Sequence, residues 1–107
     1  MGRNGDKLTQ DSVLVAELLI EKLAPIGGIS SKKMFGGYGI FHDGKMFGII
    51  DSQGQCFMKT DDTNRGDYEA KGAHKHSRMP YFSIPDEVFK DHDELVSWAN
   101  KSIGITN

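Results

Sequence analysis

The dipeptide Asp43-Gly44, set between two apolar runs, constrains this chain more than any other feature. A two-residue turn of type I′ needs positive φ at both central positions, which Asp and Gly tolerate and bulky residues do not. A loop that short also sets the pairing of the strands it joins. His42 is expected opposite Lys45, Phe41 opposite Met46, Ile40 opposite Phe47, Gly39 opposite Gly48 and Tyr38 opposite Ile49. One face of the hairpin then receives Tyr38, Ile40, Phe47 and Ile49. The other receives Phe41 and Met46, followed by two facing glycines that leave a shallow trough for a backbone, a ring or a small sensed molecule. Apolar side chains on both faces depart from the alternation of a sheet wetted on one side. Helices are expected on one face and a partner on the other, which makes Phe41 and Met46 candidate interface residues.

The hairpin sits within an antiparallel meander over residues 31–60, whose fourth strand is Cys56–Thr60. Upstream, apolar residues at helical spacing predict a helix over Gln10–Ala24, capped by Thr9 or Asp6 and stopped by Pro25 and Gly27-Gly28. Val15, Leu8, Leu19, Leu23, Ala16, Ile20, Val13 and Ala24 fill its inner arc. Leu14 and Leu18 break the pattern: they lie one turn apart on the polar arc and touch there. Either the C-terminal helix covers them or they form a subunit contact. Downstream, Asp61-Asp62-Thr63 opens a second helix, with Tyr68 and Ala70 inward and Gly72 as its stop. Residues 73–80 are polar and cationic, and Tyr81–Ile84 form one more strand, closed by Pro85. Asp91 and Glu94 have the spacing of a capping box. It opens a last helix with Leu95, Trp98, Ala99, Ser102 and Ile103 on one face and Gly104 at its end. The order α-β-β-β-β-α-β-α predicts an α+β fold, an antiparallel sheet of about five strands packed on helices in two layers.

At 107 residues the chain is expected to be a single domain over 1–107. A domain this small buries a limited share of its surface, so a dimer interface would add to its stability. The net charge of -2 excludes a binder held to nucleic acid by bulk positive charge, though not a local basic patch. The lone Cys56 cannot form an intramolecular disulfide. The N-terminus has no apolar signal segment and no run approaches a membrane span, so a cytoplasmic protein without membrane attachment is expected.

No motif points to catalysis. Gly36-Gly37-x-Gly39 enters a strand rather than a helix, which suits a tight strand connection and not a phosphate cradle. His74 and His76 lack a third ligand at zinc or nickel spacing and read as solvated loop residues. Cys56 lies in an apolar strand and reads as a small core residue. With no nucleophile–base pair and no carboxylate pair, the expectation is a non-enzyme with no cofactor and no metal. Charge is uneven: residues 31–78 carry eight Lys/Arg against six Asp/Glu, and residues 79–107 carry two against five. The densest cationic piece is Lys71, His74, Lys75, His76 and Arg78, a candidate anion or nucleic-acid contact with Tyr81 or Phe82 available to stack on a base.

Several motifs stand in order: Lys33-Met34-Phe35-Gly36-Gly37-Tyr38-Gly39-Ile40-Phe41, then Asp43-Gly44-Lys45-Met46-Phe47-Gly48-Ile49-Ile50. Phe57-Met58-Lys59-Thr60-Asp61, Met79-Pro80-Tyr81-Phe82-Ser83-Ile84-Pro85-Asp86-Glu87, Leu95 and Trp98-Ala99 follow. Over roughly residues 8–104 the chain resembles the N-terminal domain of the TfoX/Sxy regulators of bacterial competence. That resemblance implies a two-layer α+β fold similar to secretion-chaperone-like domains, and a tendency to dimerise. It departs from the family at Ala73-His74-Lys75-His76, where members often carry Pro-Phe-x-Tyr, and it includes no C-terminal helical domain. The resulting expectation is a regulatory or adaptor domain that acts as a homodimer and on an unknown regulatory protein. The alternative is an accessory domain that touches nucleic acid through Lys71–Arg78.

Overall fold

The computed structural model describes residues 4–34, 36–76 and 78–106, with side chains from Ser12 onward. Five strands form one open antiparallel sheet in the order β1-β2-β3-β4-β5: β1 (Ile29–Met34), β2 (Gly37–His42), β3 (Lys45–Ile50), β4 (Cys56–Lys59) and β5 (Tyr81–Ser83). Helix α1 (Asn4–Leu23) precedes the sheet and α2 (Arg65–Ala70) joins β4 to β5. Helices α3 (Asp86–Lys90) and α4 (His92–Thr106) follow. This is the expected α+β order with one short helix added, α3, whose first turn carries Asp86 and Glu87 behind Pro85.

The hairpin turn is as predicted, with Asp43 at φ 49° and Gly44 at φ 85°. Pairing begins in the expected register, His42 with Lys45 and Phe41 with Met46, and then slips. A bulge at Ile40/Phe41 sets Ile40 opposite Gly48, Gly39 opposite Ile49 and Tyr38 opposite Ile50. An extra residue on one strand reverses the faces beyond it. Phe47 stays in the core, Ile49 moves to the outer face, and Ile50 lies inside in the place expected for Ile49. Gly39 and Gly48 therefore do not face each other and no glycine trough forms between them. The glycine run is a tight strand connection: Met34 pairs with Gly37, and Gly36 lies at φ 80°. At Gly37 a side chain would strike the backbone carbonyl of Ile50, so that position accepts no Cβ.

Helices cover one face only, α1 over β1, β2 and β3 and α4 over β3 and β4. Between the layers lie Ala16, Leu19, Leu23, Ile40, Phe47, Ile50, Cys56, Met58, Tyr68, Phe82, Leu95 and Trp98. The Tyr68 ring meets Trp98 edge-on at 4.5 Å and Phe82 at 6.1 Å. The inner face of α4 is the one predicted, although the helix passes through Gly104 to Thr106. Asp91 Oδ1 caps it by accepting the Glu94 amide at 3.1 Å. The Asp91 amide is already given to Val88, so only half of the capping box forms.

Four local expectations are corrected. Helix α1 begins at Asn4, which places Asp6 and Thr9 inside the helix rather than at its cap. Its buried stripe includes Ser12, whose hydroxyl donates to the Asp51 carbonyl at 2.7 Å, and Ala24 is exposed beyond its end. Helix α2 begins after Asn64, because Asp61 Oδ1 first closes a turn on the Thr63 amide and hydroxyl. Those bonds hold the Asp61 carboxyl below its ordinary pKa, the Thr63 hydroxyl contributing most. Ala70 ends this helix exposed, and only Tyr68 points inward.

Candidate functional site

Two surfaces stand out. The first is on α1. Leu14 and Leu18 are 61% and 42% exposed, so α4 does not cover them. The helix turns Ser12, Ala16, Leu19 and Leu23 to the core. At 100° per residue the two leucines fall on the far side with Glu17 and Glu21, which are exposed. Solitary exposed leucines are ordinary, but a pair one turn apart makes a continuous apolar spot, bordered on one side by Glu17 and Glu21.

The second is the face of the sheet that no helix covers. It carries Met34 from β1, Gly37, Gly39 and Phe41 from β2, Met46 and Ile49 from β3, Phe57 and Lys59 from β4, and Tyr81 from β5. Residues 73–76 and 78–80 form a strap along its far edge. Lys75 makes an antiparallel bridge with Phe82, the Ser83 amide donates to the His74 carbonyl, and the His76 amide donates to the Tyr81 carbonyl. Alternation along this extended piece turns both histidines onto the sheet. The His74 ring meets Phe57 edge-on at 5.8 Å and lies 3.3 Å from the Ser83 hydroxyl through Nδ1. His76 tilts against Phe57 at 4.5 Å. The strap buries Phe57, and Tyr81 is buried with its hydroxyl donating to the Met46 carbonyl at 3.4 Å. Burial pushes the Tyr81 phenol upward.

This arrangement divides the predicted cationic cluster. Lys71 leaves it: its ammonium pairs with Glu87 at 2.8 Å, which raises its pKa. His76 packs half-buried against Phe57, whereas His74 touches the edge of that ring and stays exposed, as expected of a solvated loop histidine. Lys75 and Arg78 stay exposed, with no ion pair among the described residues. Neither aromatic named for stacking is presented, since Tyr81 and Phe82 are both buried.

Next to the strap the sheet face opens into a cavity of about 440 Å³ lined mostly by apolar atoms, among them Met34, Met46, Ile49, His76 and Met79. Phe41 and Met46, the predicted interface pair on this face, are half-buried, packed with Met34 above Gly39. Sequence reasoning missed Met34 and Met79, because nothing in their spacing shows that two distant segments meet at one opening.

No catalytic grouping appears among the described residues. Cys56 is buried in the core, and desolvation with the nearby Asp51 charge pushes its thiol up to about 12, leaving it no thiolate character at neutral pH. No three His, Cys, Asp or Glu side chains come together as a metal-binding group, and no helix is long and apolar enough to cross a membrane, among the described residues.

An open five-stranded antiparallel meander backed by helices on one face defines a small α+β domain. The sequence profile of the TfoX N-terminal domain matches residues 21–105, from the last turn of α1 to the last turn of α4, and the chain belongs to that family. Membership makes it a domain of regulatory kind. Comparison with curated proteins returned no match.

Proposed function

We propose that this chain is a non-enzymatic regulatory or adaptor domain of the cytoplasm that works through protein contacts as a homodimer joined by α1. The observation that carries the reading is the exposed pair Leu14 and Leu18 on a helix that packs on the core through Ser12, Ala16, Leu19 and Leu23 on its other side. A two-fold axis beside them would bring four leucines together and remove them from water, at roughly 25 cal/mol per Å² of apolar surface covered. Glu17 and Glu21 would stay at the rim, where charge sets register more than affinity. The test is light scattering over a concentration series. A dimer is expected, and it should dissociate when Leu14 and Leu18 are both changed to Lys, with little loss of monomer stability because both sites are exposed. A monomer at high concentration, or a dimer untouched by the double change, refutes the α1 interface.

The alternative, contact with nucleic acid through the strap, draws support from Lys75 and Arg78, exposed and without ion pairs among the described residues. It predicts binding that weakens steeply with salt and is lost when both are changed to Glu. Flat salt dependence refutes it.

A further inference from the structure

We propose that the cavity on the uncovered sheet face binds a soft monovalent cation, Cu(I), through the thioethers of Met34 and Met46, with Met79 and His76 of the strap completing the donor set. Met34 and Met46 come from strands that are not neighbours, yet their sulfurs converge over one glycine. A Cβ on Gly39 would lie 2.7 Å from Met34 Sδ and 2.9 Å from Met46 Sδ. Only the missing side chain at Gly39 lets both sulfurs settle there. His76 and Met79 line the same cavity, and a turn closed by the Met79 amide on the His76 carbonyl at 3.1 Å holds them together. Among the described residues no hydrogen bond engages the His76 ring, whose one ring contact is with Phe57.

Donor chemistry selects the ion. Thioether sulfur is a soft ligand that favours Cu(I), and imidazole suits copper as well. Hard cations require several oxygens. The one carboxylate lining the cavity among the described residues, Asp51, accepts at Oδ1 from the amides of Gln53 and Gln55 at 2.9 Å each. The walls are largely apolar, which slows competition by water, and Met79, 39% exposed, stands at the mouth where an ion would enter. This inference does not rest on the homodimer: the site lies within one protomer, on the sheet rather than on α1.

The test is anaerobic titration of the full chain with Cu(I) against a competing chelator. Parallel Ag(I) titration would follow the methionine methyl groups by NMR. All measurements would use Cys56→Ala to remove the thiol. One ion per chain is expected, with shifts at the methyls of Met34, Met46 and Met79. Met34→Leu with Met46→Leu should weaken binding by at least about 100-fold, since even outer-sphere losses cost metal sites about 10–100-fold. These swaps nearly conserve volume and leave the fold in place. Met79→Leu, at an exposed position, should weaken binding without touching the core. Absence of binding, or binding indifferent to all three changes, overturns the proposal. Uptake of apolar molecules without Cu(I) would show instead that the cavity is a plain hydrophobic pocket.

Discussion

Asn64 and Ser102 hold the junction where β4 leaves the sheet, and their joint removal should cost more than the two separate losses. Both are buried, and both donate to one acceptor, the Lys59 carbonyl: Asn64 Nδ2 at 3.2 Å and Ser102 Oγ at 2.8 Å. Asn64 Oδ1 also accepts the Asp61 amide at 2.8 Å. Ser102→Ala loses one bond but leaves the carbonyl satisfied by Asn64, and Ala gains slightly in helix propensity, so the net cost should be about 0.5–1 kcal/mol. Asn64→Ala loses two bonds and leaves the half-buried Asp61 amide without its acceptor, for about 2–3 kcal/mol. In the double variant the carbonyl has neither partner, which adds about 1 kcal/mol beyond the sum. The assay is urea denaturation followed by the fluorescence of Trp98, the one tryptophan and a core residue, at two protein concentrations so that any association shows itself. Losses that add to within about 0.5 kcal/mol would refute the shared-acceptor reasoning.

Gly37→Ala should destabilise by about 3 kcal/mol or more, because a Cβ there meets the Ile50 backbone rather than a movable side chain; the same denaturation measurement checks it. The Cys56 thiol, raised from 9.0 to about 12 in the folded chain, contributes stability that is complete below pH 9 and is lost as pH rises toward 12. Melting temperature should therefore fall across that window, and less steeply in Cys56→Ala. Tyr68→Phe should be neutral or stabilise by up to about 1 kcal/mol, since its buried hydroxyl has no hydrogen-bond partner among the described residues. Ser102, beside it, has given its own proton to Lys59 and is left to Tyr68 only as an acceptor. A loss above about 1 kcal/mol on thermal melting would show that this hydroxyl is satisfied after all.

What could be read from the amino acids alone was whatever depends on near neighbours in the chain. Asp43-Gly44 specifies its turn because only the φ preferences of two residues are involved. The inner face of α4 follows from the spacing of Leu95, Trp98, Ala99, Ser102 and Ile103, and its start from Asp91. Leu14 and Leu18 are conspicuous in the sequence because they violate the periodicity of α1, but whether α4 covers them depends on how two helices pack. The bulge at Ile40/Phe41 escaped for a related reason. Both registers pair apolar residues, and the choice between Ile49 and Ile50 for the core is made by the strands and helices around them. The strap, the Lys71–Glu87 pair that takes a cation from its cluster, and the meeting of Met34, Met46, His76 and Met79 join residues far apart in sequence. Chain-local preferences determined the elements and their order; packing across the sheet decided which side chains share a surface, because that depends on distances no single segment contains.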